Sequence, residues 1–302
     1  MRQCATLPLL SESPGRCLLA TPAKINLFLE LLGRQSDGYH AIETLMLTIN
    51  LYDTLEFRLR DDGRIMLHCD HPQLPSGPGN LAYRAAAALQ SVSGCRFGVD
   101  LRLTKRIPHQ AGLGGGSSDA AATLFALNRL WRLNWPRQEL QTIAASLGSD
   151  ISFFLSPPAA WCTGRGERVE PEQPGARFDF VVVKPSLGLS TAEVYQRATV
   201  PSRGISGLSA REALRAGDPV RLAQGLHNRL QEAAFAAAPA VREVYTRLQE
   251  TKPLGCLLSG SGSCVFALCR NRADAARVAR EYARNAATLD PELRILTVRS
   301  MR

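Results

Sequence analysis

Gly112, Gly114, Gly115 and Gly116 fall within five positions, interrupted only by Leu113, and Ser117, Ser118 and Asp119 follow at once. Glycine is costly in a regular element, so this density calls for a chemical reason. Upstream, Phe97, Val99, Leu101 and Leu103 alternate with Gly98, Asp100, Arg102 and Thr104, the period of a half-buried strand. Downstream, Ala120, Ala121, Leu124, Leu127, Leu130 and Trp131 recur at helical spacing, with Ser117 or Ser118 as a natural N-cap and Asp119 suited to the first turn. Strand, glycine loop and helix N-terminus together suit phosphate. The first helical N–H groups have no intrahelical partner, the helix dipole adds positive potential, and missing Cβ atoms let phosphate oxygens reach the backbone. The serine hydroxyls add donors, or a ligand for a phosphate-bound magnesium ion. The pattern is not a Walker loop, because no Gly-Lys-Ser/Thr follows. Nor is it the dinucleotide GxGxxG, whose third glycine would fall at Ser117.

Other residues offer complementary chemistry. In TPAKINLFLEL, Ile25, Leu27, Leu29 and Leu31 share one strand face, and Lys24, Asn26, Phe28 and Glu30 share the other. Read alone, that second face is solvent-exposed. In AASLGSDISFFL a helix ends at Gly148, a residue suited to the C′ position. Asp150 is then an N-cap for ISFFL or a functional carboxylate. Asp37-Gly38 in SDGYH is a turn signal that presents Tyr39 and His40 at a loop tip, a flat apolar face beside a hydrogen-bonding edge. Asn80 is a good N-cap for a helix from Leu81. Lys105 closes the strand before the glycines, as a solvated end or a phosphate contact. Gly260, Ser261 and Gly262 join two strands, and Tyr195 reads as a core tyrosine on a helix.

Three segments resemble the three motifs of the GHMP kinases, the superfamily of galactokinase and of homoserine, mevalonate and phosphomevalonate kinases. PAKINLFLELLGRQSDGYH resembles the first, PHQAGLGGGSSDAA the second and GCLLSGSGSCVFAL the third, in the family's order from Pro22 to Leu268. Within the superfamily, AKINLFL, DGYH and AGLGGGSSDAA are similar to the branch that phosphorylates a cytidine-diphosphate-linked methylerythritol for non-mevalonate isoprenoid synthesis. The resemblance implies ATP as donor, Mg²⁺ assistance and transfer to the 2-hydroxyl of that alcohol. It puts Lys24 and Asp150 at the catalytic centre. There Lys24 would steady charge on the γ-phosphoryl group and hold Asp150 ionised, while Asp150 orients and deprotonates the hydroxyl. It assigns ATP to Asn80, Lys105, Pro108, Ala111, Gly112, Leu113, Gly114, Gly115, Gly116, Ser117 and Ser118. It assigns the acceptor to Asn26, Tyr39, His40, Thr191, Tyr195, Gly260, Ser261 and Gly262. Tyr39 and Tyr195 would stack on cytosine while His40 reads its polar edge. Ser152 departs from the pattern, standing where the family usually has proline. No protein metal ligands are expected.

These residues must be positioned by a chain of 302 residues, enough for one large or two ordinary domains, and 45% hydrophobic. Its net charge of +9 suits an anionic ligand and equally a merely basic protein. Eight cysteines without a CxxC pair read as reduced thiols of a cytoplasmic protein, and His68, Cys69 and His71 as a strand end and turn rather than a metal site. No apolar run reaches membrane-spanning length, and Met1 to Arg16 does not develop a signal-like stretch. SPPAAWCTGRGERVEPEQPG marks a boundary with a hairpin inside it. FDFVVV then reads as a strand. Helices follow around Ala210 to Ala216, Pro219 to Phe235 and Pro239 to Gln249. Strands come next around Cys256 to Leu258 and Ser263 to Cys269, then a helix from Arg272 to Asn285 and a strand from Leu293 to Val298. That order is ferredoxin-like. The expected fold is α+β: the two-domain GHMP kinase fold, with an S5-like domain over 1–175 and a ferredoxin-like domain over 176–302. The competing functions are another GHMP-type kinase, which would have no pyrimidine for DGYH to hold, and a non-catalytic nucleic-acid-binding protein. The latter should cluster its basic residues among aromatics, whereas here they are dispersed. The oligomeric state is left open.

Overall fold

The structure is a computed structural model that describes residues 7–36, 38–156, 158–286, 290 and 292–302. The chain folds as two compact units that interleave in sequence. One comprises Met1–Ala23, Leu51–Ile107 and Gly114–Pro157; the other comprises Lys24–Asn50, Pro108–Leu113 and Pro158–Arg302. The linear boundary expected near residue 175 does not coincide with this division.

In the first unit, β1 (Leu9–Ser13) lies antiparallel to the start of β2 (Arg16–Arg34). The second half of β3 (His40–Arg60) pairs antiparallel with a later strand that also takes β4 (Ile65–Cys69) in parallel. That strand, β5 (Gly98–Thr104), follows α1 (Leu81–Ser93), so β4, α1 and β5 form a β–α–β unit. Val99, Leu101 and Leu103 are buried, as the alternation predicts. Asn80 caps α1 through Oδ1, which accepts the Ala82 N–H at 3.0 Å. Next comes α2 (Gly115–Leu130), packed against α1, α3 (Arg137–Leu147) and α4 (Ile151–Phe154). The N-cap of α2 is Gly114, at φ +69°, and not Ser117 or Ser118. A left-handed residue, which glycine adopts without penalty, turns the chain straight into the helix, and both serines fall inside it. Gly148 ends α3 as expected, but at φ 175° it is extended rather than left-handed.

In the second unit the first half of β3 pairs antiparallel with β6 (Ala159–Gly164), which forms the expected hairpin with β7 (Arg168–Glu172). Then follow β8 (Asp179–Lys184), α5 (Thr191–Arg197), α6 (Leu208–Ala216), α7 (Pro219–Gln224), β9 (His227–Asn228), α8 (Gln231–Ala237), α9 (Pro239–Glu250), β10 (Gly255–Leu258), β11 (Val265–Cys269), α10 (Arg272–Ala286) and β12 (Arg294–Arg299). The sheet order β10-β11-β8-β12, antiparallel throughout, is the ferredoxin-like arrangement the element order implies. Leu29, Leu31, Val181, Val183, Phe235, Leu248, Val265 and Tyr282 share its core. The single helix expected over Pro219 to Phe235 is instead α7, β9 and α8. The break comes at Gly225, which ends α7, and at His227-Asn228, which pair in parallel with Phe28-Leu29 of β2. Among the described residues no helix is long and apolar enough to cross a membrane.

Candidate active site

The second unit gathers parts of all three motifs. Lys24, expected on an exposed strand face, is only 3% exposed, and Asn26 and Glu30 are buried on the same face. Buried polar groups need partners, and this face supplies them. Lys24 Nζ donates to Asn26 Oδ1 at 2.5 Å, Asn26 Nδ2 donates to Thr44 Oγ1 at 2.8 Å, and Thr44 Oγ1 donates to Phe28 O at 2.7 Å. The Lys24 N–H donates to Leu113 O at 2.9 Å, which ties the first motif to the glycine segment. The third motif meets the same segment. Ser259 Oγ donates to Gly112 O at 2.9 Å, and the Cys264 N–H donates to Ala111 O at 3.2 Å. A Cβ at Gly112, which sits at φ +70°, would lie 1.9 Å from Ser259 O. A Cβ at Gly260, at φ +55°, would lie 3.1 Å from Asn26 Oδ1 and 3.3 Å from Lys24 Nζ. Thr191 and Ser261 share a hydroxyl–hydroxyl bond of 2.8 Å.

The same unit holds the candidate base-reading residues. Tyr39 is 59% exposed and His40 is buried, with its ring centroid 5.5 Å from that of Tyr195. Burial, and then the positive charge of Arg34, push the His40 imidazole below its ordinary value, so it is neutral at pH 7 with one donor and one acceptor nitrogen. Sequence reading missed Arg165, whose guanidinium carbon lies 5.1 Å from the centroid of the Tyr39 ring. Its only signal was a place in the tight turn of CTGRGE. Asp37, the other half of the turn signal, lies outside the described residues.

Pro108 also belongs to the second unit, whereas Asn80, Lys105, Gly114 to Ser118 and Asp150 belong to the first. Ser118 Oγ is buried in the first turn of α2 with no hydrogen-bond partner. Lys105, expected as a solvated strand end or a phosphate contact, is neither solvated nor unengaged. Its ammonium binds Asp53, and Asp119 at 2.7 Å, deep in the unit. Asp119, expected to serve the helix dipole, also accepts from Thr21 Oγ1 at 2.8 Å. Burial drives its carboxyl above the ordinary range, and Lys105 opposes that shift. Asp53 further accepts the Ile107 N–H at 2.8 Å, bracing the approach to the glycines. Nothing in LYDTLEF separates Asp53 from a surface residue, so its role was not legible. Asp150 stands at the N-cap position of α4 but makes no side-chain capping bond, so the capping reading lacks its hydrogen bond. His71 Nδ1 accepts the Gln73 N–H at 3.3 Å within a turn. The described residues contain no cluster of three or more His, Cys, Asp or Glu able to hold a metal.

Comparison with known proteins agrees with these motifs. The family model for the GHMP kinases N terminal domain matches residues 80–156, and that for the GHMP kinases C terminal matches residues 210–288. A 4-diphosphocytidyl-2-C-methyl-D-erythritol kinase of Pelotomaculum thermopropionicum is 44% identical over 265 residues, 87% of this chain and 92% of the relative. One of Delftia acidovorans is 43% identical, covering 82% of this chain and 84% of the relative. The crystal structure of a 4-(cytidine 5'-diphospho)-2C-methyl-D-erythritol kinase superposes with a TM-score of 0.78 at 34% identity, over 94% of this chain and 99% of that one. Homoserine kinase from Cytophaga hutchinsonii shares the fold, with a TM-score of 0.72 at 16% identity over 96% of each chain. The chain therefore belongs to the GHMP kinases, and within them to the 4-diphosphocytidyl-2-C-methyl-D-erythritol kinase family.

Proposed function

We propose that the chain transfers the γ-phosphoryl group of ATP to the 2-hydroxyl of 4-diphosphocytidyl-2-C-methyl-D-erythritol, a step of non-mevalonate isoprenoid synthesis. Relatives bearing that substrate in their names span most of the chain, and membership of an ATP-dependent kinase family supplies the donor. The observation that carries the reading is one compact unit that joins motif residues around Lys24 to an exposed tyrosine and a buried neutral histidine. A homoserine or mevalonate acceptor has no base for that pair to hold.

In this reading Asp150 orients the acceptor hydroxyl and takes its proton, while Lys24 stabilises charge on the transferring group. Gly112 to Ser118, with Pro108, Ala111 and Asn80, take the nucleotide. The Lys105 ammonium, held by two carboxylates, acts by bracing the loop. Tyr39, His40 and Tyr195 take the cytosine, and Asn26, Thr191 and Gly260 to Gly262 the rest of the acceptor. Mg²⁺ would arrive with the nucleotide and neutralise phosphate charge. Ser118 Oγ, buried without a partner, is an oxygen suited to it. The family's two modules then span 1–175 and 176–302. A cytoplasmic setting fits the absence of disulfides among the described cysteines. A small-molecule acceptor, rather than nucleic acid, fits a basic surface whose arginines are drawn into ion pairs, as Arg60, Arg129, Arg211, Arg215 and Arg277 are.

Phosphorus NMR of reactions with ATP and candidate alcohols tests the reading. A new phosphomonoester resonance is expected with the diphosphocytidyl alcohol. Its appearance with homoserine or mevalonate alone would replace this reading by another kinase of the superfamily.

A further inference from the structure

Strand β9 carries a buried asparagine that none of the three motifs includes. Asn228 is 7% exposed. Its Nδ2 donates to two carbonyl oxygens, Leu258 O at 2.8 Å and Gly260 O at 2.7 Å. Its Oδ1 accepts the Leu230 N–H at 3.0 Å. An amide nitrogen has two protons, and here both go to the strand end and loop of the third motif. That loop borders Lys24: a Cβ on Gly260 would lie 3.3 Å from Lys24 Nζ.

The other side of Asn228 is referenced to the strand that bears Lys24. β9 pairs in parallel with β2, Phe28 with His227 and Leu29 with Asn228. The Arg229 N–H donates to Leu29 O at 2.9 Å, and the Arg229 guanidinium grips Glu30 through bonds of 2.7 and 2.8 Å. One side chain thus links the backbone of the Gly260 loop to a two-residue strand locked onto β2.

We propose that Asn228 is a positioning residue for phosphoryl transfer: it fixes the Gly260 carbonyl, and with it the loop that borders the Lys24 ammonium, so that Lys24 keeps a single location. The proposal rests on the reading of Lys24 as catalytic. The chemistry of the position is specific. Leucine fills the space but leaves two carbonyls without donors, and an ionised aspartate turns acceptors toward acceptors. A protonated aspartic acid would regain one donor.

The test compares steady-state kinetics of wild type, Asn228→Leu, Asn228→Asp and Lys24→Met, with thermal unfolding of each. Both Asn228 variants should lose kcat by about 10²-fold, the scale of a small misplacement of a reacting group, with KM for ATP and for the diphosphocytidyl alcohol little changed. Asn228→Asp should recover activity relative to wild type as pH falls from 8 to 5.5, which a purely structural residue would not do. If Asn228→Leu does not fold, Asn228→Ser, which leaves room for water at the carbonyls, replaces it. Folded Asn228 variants with wild-type kcat, beside an inactive Lys24→Met, would overturn the positioning role alone. Normal turnover by Lys24→Met would overturn the reading of Lys24 as well.

Discussion

Asp150 heads a four-residue helix without capping it, and the proposed chemistry gives its carboxylate other work. Asp150→Asn keeps the shape and removes the base, so turnover at saturating substrates should drop by roughly 10²–10⁴ while acceptor binding persists. Turnover within a few-fold of wild type would take Asp150 out of the chemistry. The base-reading pair divides its labour differently. Tyr39 offers an exposed ring with the Arg165 guanidinium over it, a surface that any base can use. Tyr39→Ala should therefore cost about 1–3 kcal/mol of affinity for CDP and UDP alike. The buried, neutral His40 offers directional bonds, and a wrong base leaves such groups unpaired. His40→Ala should narrow the gap between CDP and UDP as competitors of the acceptor. An unchanged gap would remove His40 from base selection.

At the scale of elements, the glycines of the second motif are not equivalent. Gly112 sits at φ +70°, and its missing Cβ would fall 1.9 Å from Ser259 O. Gly116 lies within α2, and a Cβ there would meet nothing closer than Leu81 Cδ1 at 3.5 Å. Gly112→Ala should thus destabilise strongly, by more than about 2 kcal/mol. Gly116→Ala should be neutral or stabilising by up to about 1 kcal/mol. Thermal unfolding of the two variants checks the contrast, and equal losses would refute it. The same distinction governs what the sequence could reveal. Local periodicity was enough for β5, for α2 and for β8, α9, β10, β11, α10 and β12 of the ferredoxin-like arrangement, because each buries a face its own pattern declares. It was not enough for β9, which exists only through pairing with β2, so Pro219 to Phe235 read as one helix. It also misjudged the Lys24 face of β2, whose burial depends on Thr44, 18 residues from Asn26 in sequence, and on Arg229. The burial and ion pairing of Lys105 and Asp119 were not legible for the same reason: Asp53, which completes their cluster, is distant in sequence and carries no motif. Residue types announced the chemistry, whereas long-range partners decided which polar groups are buried.

At the scale of the whole molecule, a unit assembled from three separate stretches of chain depends on bonds that join distant residues. Glu30 is the clearest of these. Its fully buried carboxylate accepts two bonds from Arg229 and one from the Ile205 N–H at 2.9 Å, so it ties β2 both to β9 and to the loop before α6. Burial alone would push this carboxyl up, but the Arg229 and backbone bonds outweigh it and hold the group down to about 2. An unfolded glutamate titrates near 4.3. Because the folded value is the lower one, the stabilisation is complete above the unfolded value and is lost as pH falls toward 2. Glu30→Gln leaves Arg229 without its counter-charge and should cost about 3 kcal/mol at pH 7. That deficit should then shrink as the wild type is acidified, since protonation removes from Glu30 what the mutation has already removed. Urea unfolding of both proteins at pH 7, 4 and 3 gives the answer directly. Convergence of the two midpoints toward low pH is expected, and a constant separation would mean that shape, rather than charge, joins β2 to β9.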